Sequence, residues 1–291
     1  MLETRPANPL TDDELHRWET EGYHVARGLW TAEEVAACKA LFEAFAKAGE
    51  AVPEMWEPEL GSADPLKRYP RVLHPHRWMD LAERMLLDER VGAVLWWLMG
   101  EEPLATQSMY YFKPPGGKGQ ALHQDNYYLK VRPKTCVAAW TAIDRSHPEN
   151  GGLWVCPGTH TMEVKCPELA NPEESFCTDF VAPPAGVTPV PVELEPGDVL
   201  FFNGSVVHGS RPNTSRDEWR RSFICHYAPE SMTGMSDHYR PVLRFNGEER
   251  DYETVVGGGP CGTPFESGLP NTFEERYALG MTPVAGGSIP G

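Results

Sequence analysis

Ala121-Leu-His-Gln-Asp-Asn126 sets an imidazole and a carboxylate two residues apart. In a β-strand, side chains two apart leave the same face. Read as part of a strand over His123–Lys130, the segment delivers His123 and Asp125 side by side. A histidine and a carboxylate so placed are two members of the two-histidine, one-carboxylate set that holds Fe(II). A third ligand, another histidine, has to come from elsewhere in the chain.

The surroundings read as β structure. From residue 104 onward, short apolar or alternating runs are divided by Gly/Pro turns: Leu104–Lys113, Thr135–Ile143, Gly152–Cys156, Pro189–Leu194, Val199–Asn203 and Ser222–Tyr227. That texture predicts a sandwich or barrel. Upstream the pattern is helical. Thr11-Asp-Asp-Glu14 and Thr31-Ala-Glu-Glu34 are capping boxes that open helices to about Glu21 and over roughly 32–48. Two more helices are expected near 77–87 and 88–99. Between them, residues 50–76 read as a long loop, with Trp56, Tyr69 and Arg71 suggesting an ordered lid. Residues 230–291 are rich in Gly, Pro and Met and read as loop and tail over the site. The expected fold is mainly β with flanking helices on one side of a jelly-roll, cupin-like core.

Composition narrows the function. The formal net charge is −16 with no basic block, which excludes a nucleic-acid partner. No apolar run reaches the roughly eighteen residues of a membrane helix, and the N-terminus does not read as a signal peptide. Seven cysteines without a CxxC pair argue against a disulfide framework or a structural zinc site, and predict a reduced, cytoplasmic setting.

Within a β architecture, His208 is the natural third ligand, because it follows the strand Val199–Asn203 back into the core. Downstream, Arg220-Arg221 enters an apolar strand of an acidic protein. Arginine pairs bidentately with carboxylates, so a carboxylate co-substrate beside the iron is the natural partner. Alternation puts Arg220, Ser222 and Ile224 on one face and Arg221 on the other.

These segments together resemble the phytanoyl-CoA dioxygenase family of Fe(II)/2-oxoglutarate oxygenases. The matching stretches are Gln107, Tyr111-Phe-Lys-Pro, His123-Gln-Asp, Ala139-Trp-Thr-Ala-Ile143, Asn150-Gly-Gly-Leu, Pro157-Gly-Thr-His160, Pro196-Gly-Asp198, His208-Gly-Ser and Arg220-Arg221. The resemblance implies a double-stranded β-helix and one oxygenase domain over residues 1–291. In it, 1–103 form a helical part with the lid loop, 104–228 the core with the iron site, and 229–291 a loop-rich segment. It implies iron held by His123, Asp125 and His208, and 2-oxoglutarate anchored by Arg220, with Arg221 as the alternative. Ser210, Gln107 and Tyr111 match co-substrate positions, and Tyr127, on the ligand face of the expected strand, is a substrate contact or core residue.

The implied activity consumes O2 and 2-oxoglutarate and hydroxylates a small-molecule metabolite, releasing succinate and CO2. An aspartate at position 125 argues for oxygenation, since halogenating relatives carry Ala or Gly there. Desaturation, epimerisation or ring formation on the same iron is the nearest rival reading. A non-catalytic cupin-type binding protein is another. Oligomeric state and prime substrate are not readable. Trp140 and Trp154 read as core, His74 and His76 as a solvated loop, and Arg145, Arg216 and Arg244 as solvated.

Overall fold

The computed structural model describes residues 5–49, 51, 59, 61–69, 71–255, 272–284 and 289. Helices α1 (Asp12–Glu21), α2 (Ala32–Ala48), α3 (Asp80–Leu86) and α4 (Glu89–Met99) precede most of the strands. Both capping boxes form, with Thr11 and Thr31 each accepting from the backbone N–H three residues on. Gly22 ends α1 at φ 81°, where a Cβ would stand 2.5 Å from the His160 ring. Only glycine meets both demands.

The strands, in chain order, begin with β1 (Tyr23–Ala26), β2 (Arg71–Leu73), β3 (Pro103–Tyr111), β4 (Gln120–His123), β5 (Val137–Ala142) and β6 (Leu153–Val155). Then come β7 (Glu168–Leu169), β8 (Asp179–Phe180), β9 (Val190–Pro191), β10 (Val199–Asn203), β11 (His208–Ser210) and β12 (Ser222–Pro229). The last four are β13 (Gly234–Met235), β14 (Val242–Leu243), β15 (Glu249–Arg250) and β16 (Glu253–Thr254). Short helices α5 (Asn126–Leu129) and α6 (Phe273–Ala278) complete the described elements.

The larger sheet runs β1-β10-β5-β12-β3-β14-β15, with β2 added on β3; the smaller runs β4-β11-β6-β9. Every pairing in these two sheets is antiparallel. The two sheets face each other, because Met109, Trp140, Leu200, Phe202 and Ile224 of one share a core with Leu153 and Val155 of the other. The opposite face of the larger sheet is covered by the helices. Tyr110, Val137, Phe201, Phe223 and Tyr227 there pack with Trp18, Val35, Phe42, Leu86 and Leu95. Alternation along β12 and β10 sorts each residue between these layers. This is the expected double-stranded β-helix with helices on one side.

The Pro196-Gly-Asp198 turn has a structural purpose. Asp198 accepts from the backbone N–H of Gly28 at 2.8 Å and of Glu195 at 2.9 Å, and pairs with Arg27. It ties the turn before β10 to the end of β1.

Four expectations change. First, the strand through the opening motif stops at His123, and residues 126–129 form a helical turn. Second, residues 71–77 are not loop: Arg71–Leu73 pairs with β3, and His74 and His76 are buried rather than solvated. Trp56 of the expected lid lies outside the described residues. Third, the segment after β12 is partly built into the fold, since β14 pairs with β3, and Arg244 pairs with Glu230 and Glu102. Such two-residue strands carry too little alternation to be read from sequence. Fourth, Cys166 is disulfide-bonded, while Cys38, Cys136, Cys156, Cys177 and Cys225 are free thiols.

Candidate metal centre

His208, the first residue of β11, lies directly opposite His123, the last of β4. Cross-strand neighbours of an antiparallel pair bring their side chains together, and the two imidazoles stand with ring centroids 4.3 Å apart. Gly209 makes this register possible, because a Cβ there would meet the Gln120 carbonyl oxygen at 2.7 Å.

Asp125 arrives differently from the expectation. It lies beyond the strand with helical dihedrals, φ −62° and ψ −35°, and its carbonyl accepts the N–H groups of Tyr128 and Leu129. The bond from Asn126 N–H to the Gly204 carbonyl, 2.9 Å, fixes this turn against the loop before β11. Asp125 Oδ1 then stands 3.4 Å from His123 Nε2 and 3.6 Å from His208 Nε2. The three side chains are buried, and their ligand atoms lie within 4.8 Å of one another.

The donor set suits a metal. His123 Nδ1–H donates to the Ala121 carbonyl at 2.9 Å, and His208 Nδ1–H donates to the Val206 carbonyl at 3.0 Å. Each bond fixes the tautomer, so both Nε2 lone pairs point inward. The Gln120 side chain lies 3.1 Å from the Nε2 of His123. Burial pushes His208 down to about 4, so its ring is neutral at physiological pH. Burial alone would raise the Asp125 carboxyl, but the surrounding His208, His226 and His123 outweigh it and hold the group well below the usual carboxylate range. Burial alone would lower His123, but the Asp125 carboxylate, with the Ala121 carbonyl and Asp179, outweighs it and raises the ring. An ionised carboxylate and two imidazoles whose Nδ1–H groups are held by carbonyls offer Fe(II) one oxygen and two Nε2 donors, the metal displacing any proton on His123.

His226 is a site residue that the sequence reading missed. From β12 in the opposite sheet, its Nε2 lies 3.0 Å from Asp125 Oδ2. The signal was present: positions 220, 222, 224 and 226 share one parity, and His226 extends the face assigned to Arg220.

The cavity beside the centre is lined by Met109, Tyr111, Gln120, Trp140, Leu153, Phe202, Ser210, Arg220, Ile224 and His226, together with the three ligand residues. Trp140 is therefore cavity wall as well as core. Six residues along β12 from His226, Arg220 is a buried lining residue, and Lys113 is buried behind the lining against Ser210. Arg220 donates to the Gly151 carbonyl at 3.1 Å and to Ser222 Oγ at 3.0 Å, and burial lowers its guanidinium to about 10. Lys113, also missed, donates to that same carbonyl at 3.0 Å, to Ser210 Oγ at 2.7 Å and to the Arg211 carbonyl at 2.8 Å. Burial and the neighbouring Arg220 push Lys113 well below the usual lysine range. Among the described residues, neither cation has a carboxylate within ion-pair distance. Burying such charge is costly unless an anion compensates it.

Arg221, also buried, differs in its face and its partners. It leaves the other face of β12 and pairs with Asp144 at 2.6 Å and with Glu43 of α2. Ser210 and Tyr111 line the cavity. Gln107 is buried opposite His226 but is not among the lining residues. Tyr127 is buried outside the lining, because the strand alternation that aimed it at the site ends at His123. Tyr128 stands nearer, with its ring centroid 6.1 Å from that of His123 and its hydroxyl 2.5 Å from Asp179.

Comparison with known proteins agrees with this geometry. The phytanoyl-CoA dioxygenase (PhyH) family model matches residues 18–222. Phytanoyl-CoA dioxygenase 1 of Oryza sativa subsp. japonica is 26% identical over 243 residues, covering 72% of this chain and 86% of that protein. The peroxisomal phytanoyl-CoA dioxygenase of Homo sapiens is 34% identical over 167 residues, 54% of this chain and 47% of its own length. Like the human protein, the phytanoyl-CoA dioxygenase relatives of Danio rerio, Caenorhabditis elegans and Dictyostelium discoideum are matched over about half their length. Among solved structures, the non-heme alpha ketoglutarate dependent epimerase SnoN aligns at TM-score 0.64 and 20% identity, over 85% of this chain and 95% of that one. EctD from S. alaskensis with bound Fe aligns at TM-score 0.63 and 22% identity, over 79% and 81% respectively. Among the described residues, no helix is long and apolar enough to cross a membrane. The chain belongs to the phytanoyl-CoA dioxygenase (PhyH) family.

Proposed function

We propose that the chain is an Fe(II)- and 2-oxoglutarate-dependent dioxygenase, folded as one oxygenase domain, that hydroxylates a small-molecule metabolite. The observation that carries this is one cavity with two chemically matched ends. At one end His123, Asp125 and His208 converge with their free ligand atoms inward. At the other, Arg220 lines the cavity, with Lys113 behind it on Ser210, and among the described residues no carboxylate pairs with either.

His123, Asp125 and His208 would hold the iron. Arg220 would receive the distal carboxylate of 2-oxoglutarate. Ser210 assists: its oxygen accepts from Lys113 and from the Gln120 N–H, so its own proton is left to donate. Lys113 also holds the Gly151 carbonyl that orients Arg220. Met109, Trp140, Leu153, Phe202 and Ile224 keep the cavity apolar, which excludes water and strengthens each polar contact inside it. With iron and 2-oxoglutarate bound, the centre supplies oxidation of the substrate by O2, coupled to decarboxylation of 2-oxoglutarate to succinate. His226 keeps Asp125 aimed at the metal.

The test is formation of succinate from 2-oxoglutarate with Fe(II) and O2. Wild type should produce it, and His123→Ala and Asp125→Ala should not. Unaltered turnover in either variant would remove the iron assignment.

A further inference from the structure

Arg71 opens β2 at the margin of the larger sheet, directly opposite Tyr111 in register. Tyr111 lines the cavity. The Arg71 guanidinium lies 5.6 Å from the centroid of the Tyr111 ring and 5.0 Å from that of Phe176. Its side-chain hydrogen bond goes to Cys177 Sγ at 3.6 Å, a weak acceptor. Among the described residues no carboxylate forms an ion pair with it, and the residue is solvent-exposed. One aromatic ring thus separates from the cavity a cation that no described carboxylate pairs with.

A neighbouring described carboxylate is already engaged. Asp179 accepts the Tyr128 hydroxyl and pairs with buried Arg276. Tyr128 in turn stands against His123. On the floor of the cavity, Arg220 faces inward, and Arg221 is paired on the other side of the sheet. Arg71, which no described carboxylate pairs with, has donors to spare at the solvent-exposed margin, in a chain of net charge −16. A planar guanidinium between aromatic faces leaves its N–H edge for a bidentate acceptor. One such group matches a monoanion.

Building on the iron and 2-oxoglutarate reading, we propose that Arg71 binds a carboxylate of the prime substrate at the cavity mouth, so that the enzyme acts on a carboxylic acid. Tyr111 and Phe176 frame the acid, and the substrate body extends past Tyr111 towards His123 and Asp125.

The test uses protein loaded anaerobically with Fe(II) and 2-oxoglutarate, as wild type, Arg71→Gln and Arg71→Lys. The probes are medium-chain and phenyl-substituted alkanoic acids, each paired with its primary amide. Binding is read from perturbation of the visible iron–2-oxoglutarate band, and 2-oxoglutarate affinity from titration of that band. In wild type at least one acid should bind tighter than its amide, on the order of ten- to a hundredfold. Arg71→Gln should erase that preference, Arg71→Lys should keep part of it, and 2-oxoglutarate affinity should stay level in both. The proposal is overturned if no acid outperforms its amide, if Arg71→Gln keeps the preference, or if that variant weakens 2-oxoglutarate itself. Absence of the band in wild type refutes the iron and 2-oxoglutarate reading, and this proposal with it.

Discussion

His226 Nε2 lies 3.0 Å from Asp125 Oδ2, reaching from one sheet to a carboxylate carried by the other. Asp125 Oδ1 is the oxygen that faces the two ligand histidines. The bond therefore fixes which oxygen is offered to a metal. Partners of this kind typically contribute about 10–100-fold in metal affinity. His226→Leu should weaken Fe(II) or Co(II) binding by that factor, as measured by calorimetric titration, and His226→Gln should retain more of it. Equal affinity in all three proteins would show that Asp125 holds its orientation without help.

Arg220 and Arg221 are sequence neighbours with opposite environments. Losing one charge-assisted bidentate partner costs about 3 kcal/mol, or about a hundredfold in binding. Arg220→Ala should raise the 2-oxoglutarate requirement by that amount and leave the fold intact. Arg221→Ala should leave the requirement near wild type. It removes one of the two cations paired with half-buried Asp144, which keeps Lys39 at 2.9 Å, so unfolding in urea should show a loss of about 1–2 kcal/mol. The reverse pattern would exchange the two roles.

Gly209 lets β11 approach β4 closely enough to align His208 with His123. A methyl group there would press on the Gln120 carbonyl and on the backbone of Ala121 and Leu122 at 2.7–3.0 Å. Gly209→Ala should cost about 1–3 kcal/mol by overpacking and reduce metal binding more than it reduces helix content. Metal titration and far-ultraviolet circular dichroism together check this. Undiminished metal affinity would mean that the sheet absorbs the methyl group elsewhere.

Phe42 is fully buried beneath the larger sheet and stacks on Tyr110 with centroids 3.9 Å apart. Phe42→Ala should destabilise the protein by about 3–5 kcal/mol. Because Tyr110 faces the helices while Met109 and Tyr111 face the cavity, 2-oxoglutarate affinity should change little. A large loss of affinity in folded protein would contradict the separation of the two layers.

The sequence was informative where a period is long enough to repeat. The capping boxes at Thr11 and Thr31, the alternation in β12 and the apolar run of β10 all became the expected elements. The three candidate ligand residues do converge, but partly for a different reason than alternation supplies. His123 ends a strand, and Asp125 reaches the metal site through a helical turn fixed by a backbone bond to Gly204, which no local pattern encodes. Tyr127 was misplaced by the same error. Lys113 lay inside a matched motif, but its role depends on the carbonyls of Gly151 and Arg211, far along the chain. His74 and His76 looked solvated because they flank Pro75, yet tertiary packing buries both.

The most direct measurement is visible absorption under anaerobic conditions, with Fe(II) and 2-oxoglutarate added singly and together. The proposed site predicts a charge-transfer band only when both are present, with saturation at one of each per chain. The band should be lost in His123→Ala/His208→Ala and should need about a hundredfold more 2-oxoglutarate in Arg220→Ala. No band in folded wild-type protein at saturating Fe(II) and 2-oxoglutarate, or an unchanged band without the two histidines, would contradict it.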